Sequence, residues 1–151
     1  MRALALIIAI ALMVVACAPQ ARSPDLASEP ESSLAPGGAT RLGGGGHDAA
    51  DTIEGHVPAE YFTMYGTFDD VATVELFYRT GLESEGWVAG GGVSRIPALH
   101  EQRVVAWQKD GLIFRLGFWD VEEWRNRSTV GLEFPTIFDA RLLTATAESD
   151  G

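Results

Sequence analysis

Apolar and polar residues alternate along the chain with two different periods, and each period predicts one kind of secondary structure. In the stretch TFDDVATVELFYRTGLESEGW, large apolar side chains recur at intervals of three or four residues, which is typical of a helix with one buried face. We predict a helix that is capped by Thr67, with Asp70 three residues later and with Asp69 and Asp70 near its positive N-terminus. It is predicted to end at Gly86, where a left-handed cap lets Trp87 fold back. The face that we expect to be buried consists of Val71, Val74, Phe77, Tyr78 and Leu82.

A second stretch, RVVAWQKDGLIFRLGFWDV, alternates with a period of two and predicts a β-hairpin. Its two runs flank Asp110 and Gly111, a pair that suits a type I′ turn because both central residues of that turn need a positive φ. In the second run, the side chains that we expect to face the helix and the core are Leu112, Phe114, Leu116 and Phe118.

Three shorter runs complete the predicted fold. YFTMYG at 61–66 and STVGLEF at 128–134 are rich in strand-forming residues, and we predict a strand for each. TIFDARLL at 136–143 is compatible with a short helix or an edge strand. Because a single helical pattern cannot supply repeated crossovers, we predict an α+β fold in which one helix packs on a small antiparallel sheet.

Residues 18–55 form a stretch rich in Gly, Pro, Ser and Ala, with few large apolar side chains. Such a composition cannot bury enough surface to offset the entropy of ordering, so we predict a disordered tether over residues 17–56. We interpret Gly43 to Gly46 as linker, since no Lys-Ser/Thr pair follows them as in a phosphate-binding loop. The folded domain is expected over residues 57–143, and a flexible tail over residues 144–151.

The first residues contain an uninterrupted apolar run behind a positive charge. Arg2 is followed by 14 apolar residues from Ala3 to Ala16, which predicts a secretion signal at residues 1–16. A helix of that length extends about 21 Å, less than the roughly 30 Å of a bilayer core. The alternative is a transmembrane helix retained in the mature protein, but no cluster of basic residues follows the run to stop its transfer through the membrane.

The run ends in Val14-Val15-Ala16-Cys17, which resembles the lipobox of bacterial prolipoproteins. The resemblance implies cleavage between Ala16 and Cys17 and attachment of a diacylglycerol to the Cys17 sulfur. Since two or more acyl chains anchor a protein stably, membrane lipid is the first expected partner. The implied location is the cell membrane or the outer membrane, with the domain facing outside the cytoplasm. The resemblance covers only the first 17 residues.

The net charge of the chain is −10, and Cys17 is its only cysteine. An acidic surface disfavours nucleic acid as a partner and is an ordinary means of keeping an exported domain soluble. With no second cysteine to form an intrachain disulfide, we expect the domain to be held by its core alone.

Groups that could carry chemistry are few. No nucleophile-elbow, zinc-protease or phosphate-loop motif occurs, and we expect no catalytic residue and no cofactor. His47, Asp51 and His56 are the weak candidates for a metal site in the stretch HDAADTIEGH, because imidazole and carboxylate suit divalent first-row metals. Charges in a linker are more commonly solvated, so we expect no bound metal. We expect His100 to be a surface loop residue without a partner.

The segment FWDVEEWRNR combines aromatic and basic residues around two acids, which we expect to be loop carboxylates. Trp119, Trp124, Arg125 and Arg127 are candidate partner-binding residues, because aromatic and Arg side chains concentrate at interfaces. A core position for the two tryptophans is the favoured alternative.

Together these features predict a membrane-anchored, extracytoplasmic lipoprotein with a non-catalytic accessory or binding domain and an envelope protein as its partner. The alternative is a small ligand- or metal-binding lipoprotein. A hydrolase would need a nucleophile and a base in an arrangement that the sequence does not display.

Overall fold

The computed structural model describes residues 25–53, 55–90 and 100–145. Two short 3₁₀ helices, Leu26–Ser28 and Pro30–Ser33, come first. The α-helices are α1 (Val71–Ser84) and α2 (Val121–Arg127). The strands are β1 (Thr40–His47), β2 (Ala50–Thr52), β3 (Gly55–Val57), β4 (Glu60–Thr67), β5 (Val88–Ala89), β6 (Glu101–Lys109), β7 (Leu112–Trp119) and β8 (Thr136–Thr144).

Six of the strands form one antiparallel sheet in the order β1-β4-β8-β7-β6-β5, and β2 pairs with β3 in a separate hairpin. The segment TIFDARLL, for which a short helix or an edge strand was predicted, forms β8 between β4 and β7. The first seven residues of β8 are all buried. Asp139 and Arg141 are charged residues of the kind expected at an exposed edge. In the structure both side chains are buried and form ion pairs.

The helix predicted from the apolar spacing is confirmed as α1. It begins one turn later than Thr67, because the Asp70 side chain caps it by accepting a hydrogen bond of 2.8 Å from the Thr73 amide. At its other end Gly86 has a φ of 86°, and the Trp87 amide donates to the Leu82 carbonyl at 3.0 Å. This is the left-handed cap that the Gly-Trp pair predicted.

The α+β class is correct, but one helix on a small sheet is too simple. The sheet has six strands, and a second helix, α2, lies in the segment where Glu122 and Glu123 were interpreted as loop carboxylates. Asp120 begins α2 by accepting hydrogen bonds from the amides of both glutamates. A seven-residue helix is too short to show a clear period in sequence, so only its cap was a usable signal.

The hairpin is confirmed, with Asp110 at φ 49° and Gly111 at φ 78° between β6 and β7. Phe114, Leu116 and Phe118 are almost wholly buried, as the alternation predicted, and Leu112 is partly buried. They pack against Val74, Tyr78 and Leu82 of α1; the ring centroids of Tyr78 and Phe114 are 5.4 Å apart.

The strand predicted over residues 128–134 is wrong. This segment turns at Gly131, which has a φ of 69°, and the Phe134 amide donates to the Gly131 carbonyl. Strand-forming residues of the segment therefore lie in a turn, where Val130 and Leu132 are exposed and Phe134 is buried.

The disordered tether is wrong for residues 25–47, which belong to the fold. Leu26 is buried, Leu34 packs on the core, and the Tyr78 hydroxyl donates to the Leu34 carbonyl at 2.8 Å. The Trp87 indole nitrogen also donates to Glu31 at 2.9 Å. The low average hydrophobicity of residues 18–55 gave no sign that a few of their side chains contact the core. Residues 17–24 of the predicted tether lie outside the described residues.

The predicted domain limits also move at the carboxyl end. Thr144 belongs to β8, and the Ala145 amide donates to the Gly111 carbonyl at 2.8 Å. The rest of the predicted tail, residues 146–151, lies outside the described residues, as does the predicted signal at residues 1–16.

Candidate functional site

A row of alternating charges crosses the face of the sheet opposite α1. Arg115 in β7 is hydrogen-bonded to Glu101 in β6 and lies 3.5 Å from Asp139 in β8. Asp139 accepts a second hydrogen bond from Arg141, whose other guanidinium nitrogen donates to Glu60 in β4 at 2.5 Å. These five residues, which we call the charge ladder, connect four adjacent strands of the sheet.

Four of the five residues of the charge ladder are buried, and Glu60 is half-buried. Asp139 and Arg115 have exposed fractions of 0% and 1%, and Glu101 and Arg141 have 6% each. Burial raises the pKa of Asp139, and the nearby Glu101 raises it further, while Arg141 and Arg115 oppose the shift. Such buried charges require partners, since an isolated ion in the interior is costly.

Gly117 makes room for the two central carboxylates. It lies opposite Asp139 in the pairing of β7 with β8. A Cβ atom at this position would lie 2.9 Å from Asp139 Oδ1 and would clash with the Glu101 carboxylate. The glycine is therefore required sterically, and the same carboxylate of Asp139 also accepts from the Trp119 indole nitrogen at 2.9 Å.

The chemical capacity of the charge ladder follows from these contacts. The carboxylates of Glu101 and Asp139 are enclosed and hydrogen-bonded to guanidinium groups, so they are not placed to accept a proton from a solvent-borne substrate. Their evident role is to join strands. This row has no direct signal in the sequence, because its members come from four strands and become neighbours only in the sheet.

The four candidate partner-binding residues separate into two environments. Trp119 and Trp124 pack edge to face with centroids 5.2 Å apart, and Trp124 is 8% exposed with its indole donating to the Val130 carbonyl. Arg125 and Arg127 are exposed on α2, and Arg127 donates to Glu123 at 2.7 Å. The tryptophans belong to a second hydrophobic cluster with Phe134 and Ile137, as the core alternative held.

The weak metal candidates are only partly brought together. Asp51 and His56 face each other across the β2–β3 hairpin, with Oδ1 and Nδ1 2.8 Å apart, and both are exposed. His47 lies at the end of β1. Within residues 25–53, 55–90 and 100–145, no group of three or more His, Cys, Asp or Glu side chains is arranged to hold a metal ion.

His100 was expected to lack a partner, but the structure gives it one. Its Nε2 lies 3.9 Å from Glu123 Oε1, on α2. His100 has a φ of 50°, so it makes a turn directly before β6.

A more accessible feature is the outer edge of β1, which we call the open edge. β1 pairs with β4 on one side, and no described strand pairs with its other side. Of its eight residues, Leu42 and Gly45 are half-buried and the rest are exposed. An edge strand presents unpaired N–H and C=O groups, which can bind another extended chain. Sequence analysis missed this strand because four glycines carry no side-chain alternation.

A cavity of about 340 Å³ adjoins the second half of β1, where Gly45, Gly46 and His47 form part of its lining. Asp25, Asp48 and Glu60 are its acidic lining residues. Glu60 is bound to Arg141. No salt bridge joins Asp25 or Asp48 to a basic side chain in the described part of the chain. We call this feature the acidic cavity.

Ala16 and Cys17, the residues of the predicted processing and lipidation site, lie outside the described residues. No helix of the described ranges has the length and apolar character needed to cross a bilayer.

Comparison of the chain with protein-family models, with curated proteins and with solved structures found no match. Its function is therefore inferred from its own residues.

Proposed function

We propose that the chain is an extracytoplasmic lipoprotein, held at the cell membrane or outer membrane by acylated Cys17, whose domain is a non-catalytic binding module for an envelope protein. The observation that carries the binding role is the open edge of β1, an exposed eight-residue strand. The partner adds an extended segment to this edge through main-chain hydrogen bonds.

The order Val14-Val15-Ala16-Cys17 behind an apolar run supports the anchor. Asp25, the first described residue, follows Cys17 by eight positions. Eight residues span at most about 28 Å, so lipidation at Cys17 keeps the domain beside the membrane. A short connection restricts the domain to partners that are themselves at the membrane surface.

The glycines of β1 support the use of its edge. Gly44 and Gly46 are required for close pairing with β4, because a Cβ atom would lie 2.6 Å from the Phe62 carbonyl oxygen and 2.5 Å from that of Glu60. Gly43 has no such requirement, since its Cβ would meet nothing within 4 Å. Natural proteins commonly protect an edge with charged side chains or proline, and residues 42–46 of β1 contain neither.

Site-specific photocrosslinking of the full-length chain in membranes of its native host tests this proposal. A photoreactive residue at Gly43 should form an adduct with an envelope protein, whereas one at exposed Thr80 on α1 should not. The Cys17→Ala variant should remain uncleaved and carry no acyl mass. A wild-type chain of unprocessed, unacylated mass would overturn the anchor, and equal adducts at both positions would overturn the binding role of the edge.

A further inference from the structure

We infer that the segment which pairs with the open edge is basic and places a Lys or Arg side chain in the acidic cavity. This inference rests on the proposed function and names the chemistry of the partner. It is argued from three features: the outer backbone groups of β1, with which no described strand pairs, the cavity beside them, and the charge of the cavity lining.

The backbone of β1 supplies attraction without sequence preference. Strand addition satisfies the outward N–H and C=O groups of an edge, and specificity then comes from pockets that receive alternate side chains. The acidic cavity is placed for this, because Gly45 and Gly46 belong both to β1 and to the cavity lining. Neither glycine places a side chain between the edge and the cavity.

The negative charge of the cavity lining favours a Lys or Arg side chain. Asp25 and Asp48 carry carboxylates that no described basic group neutralises, and Glu60 adds a third carboxylate, shared with Arg141. The net charge of −10 attracts a basic segment over longer distances. The same charge disfavours a second copy of this chain as the occupant, since two acidic domains repel each other.

Peptide binding to the full-length chain, purified in a neutral detergent, tests the inference. The probe is a synthetic eight-residue peptide of alternating Thr or Val and Lys, labelled with an uncharged dye. One control peptide carries Glu in place of Lys, and another keeps Lys but is N-methylated at alternate residues along one edge. We expect the basic peptide to bind, and each control to bind at least about tenfold more weakly.

Amide hydrogen exchange gives the location. Binding of the basic peptide should slow exchange at Gly43 to Gly46. The double variant Asp25→Asn and Asp48→Asn should weaken binding by about 2- to 10-fold, as expected for two exposed charge pairs. The matched control, Glu83→Gln with Glu122→Gln, removes two exposed acids elsewhere and should leave the affinity unchanged.

Three results would overturn the inference. They are equal binding of the Lys and Glu peptides, full binding of the N-methylated peptide, and a dimer of the chain that the peptide dissociates, which would assign the edge to a second copy. A Gly43 adduct with an envelope protein, obtained while the basic peptide fails to bind, would retain the proposed function and reject the basic partner. Failure of both the adduct and the binding would reject both.

Discussion

Trp119 and Asp139 are joined by a hydrogen bond of 2.9 Å from the indole nitrogen to Oδ1, and this bond ties the charge ladder to the aromatic cluster beneath α2. The charge ladder and the aromatic cluster are thus directly connected on this face of the sheet. Removing a charge from the ladder should affect the whole domain.

Replacing Arg115 by Met should lower the free energy of unfolding by about 3–5 kcal/mol, because it leaves the buried carboxylates of Glu101 and Asp139 without their shared cation. Arg125→Met on the exposed surface of α2 is the control, with an expected change within about 0.5 kcal/mol. Urea unfolding followed by tryptophan fluorescence measures both. Equal effects would mean that the charge ladder does not stabilise the fold.

Gly117→Ala should destabilise the domain by about 1–3 kcal/mol, since the added methyl group would overlap with two carboxylates. Gly43→Ala supplies the comparison, because the new methyl group meets nothing within 4 Å. Alanine is also entropically favoured over glycine in a strand by roughly 0.5–1 kcal/mol, so this variant should be unchanged or slightly stabilised. Thermal unfolding of both variants would show whether the two glycines differ in this way.

Glu75 should make the stability of the domain depend on pH. The hydrogen bonds that it accepts from Arg103, together with the one from Arg79, lower its pKa despite its burial in α1. A carboxyl whose pKa is lowered by folding stabilises the fold when ionised, and that contribution disappears as the pH falls through the lowered pKa.

The measurement is the difference in unfolding free energy between wild type and Glu75→Gln across a pH series. We expect a difference of about 1–3 kcal/mol at pH 7, with the half-exposed arginines limiting its size, and a smaller difference in acid. Glu83→Gln, exposed on the same helix, should show little difference throughout. A difference independent of pH would contradict this assignment to the Glu75 charge.

Leu26 should be essential to the fold although it precedes β1. It is 4% exposed and packs in the main core, so Leu26→Ala should cost about 2–4 kcal/mol. Leu132→Ala, at a half-exposed position, should cost far less. If Leu26→Ala unfolds at the same denaturant concentration as wild type, residues before β1 are not an integral part of the domain.

Sequence reasoning identified the elements whose pattern is contained within one continuous stretch of the chain. The apolar spacing of α1 and the Asp110-Gly111 turn lie within single stretches of the chain, and both predictions were correct. β8 was ambiguous because Asp139 and Arg141 interrupt its apolar pattern, and their partners on other strands come from β4 and β7.

The first strand was missed for a different reason. Gly43 to Gly46 have no side chains to show an inward and an outward face, so their place beside β4 depends on close backbone approach rather than on hydrophobicity. The open edge and the acidic cavity could not be found before this strand was known. By contrast, the proposed lipobox at Val14 to Cys17 is a continuous stretch whose resemblance needs no fold to be recognised.

The pairing of Gly117 with Asp139 also selects the alignment of β7 against β8. A slip of β7 against β8 by one residue would turn every side chain to the wrong face, so the apolar alternation disfavours it. A slip by two residues keeps every side chain on its own face, so the alternation does not separate it from the native alignment. Such a slip would move Gly117 away from Asp139 and lose the space that the missing side chain gives to the carboxylates of Asp139 and Glu101. A single missing side chain thereby favours the native alignment over those that hydrophobic patterning alone would permit.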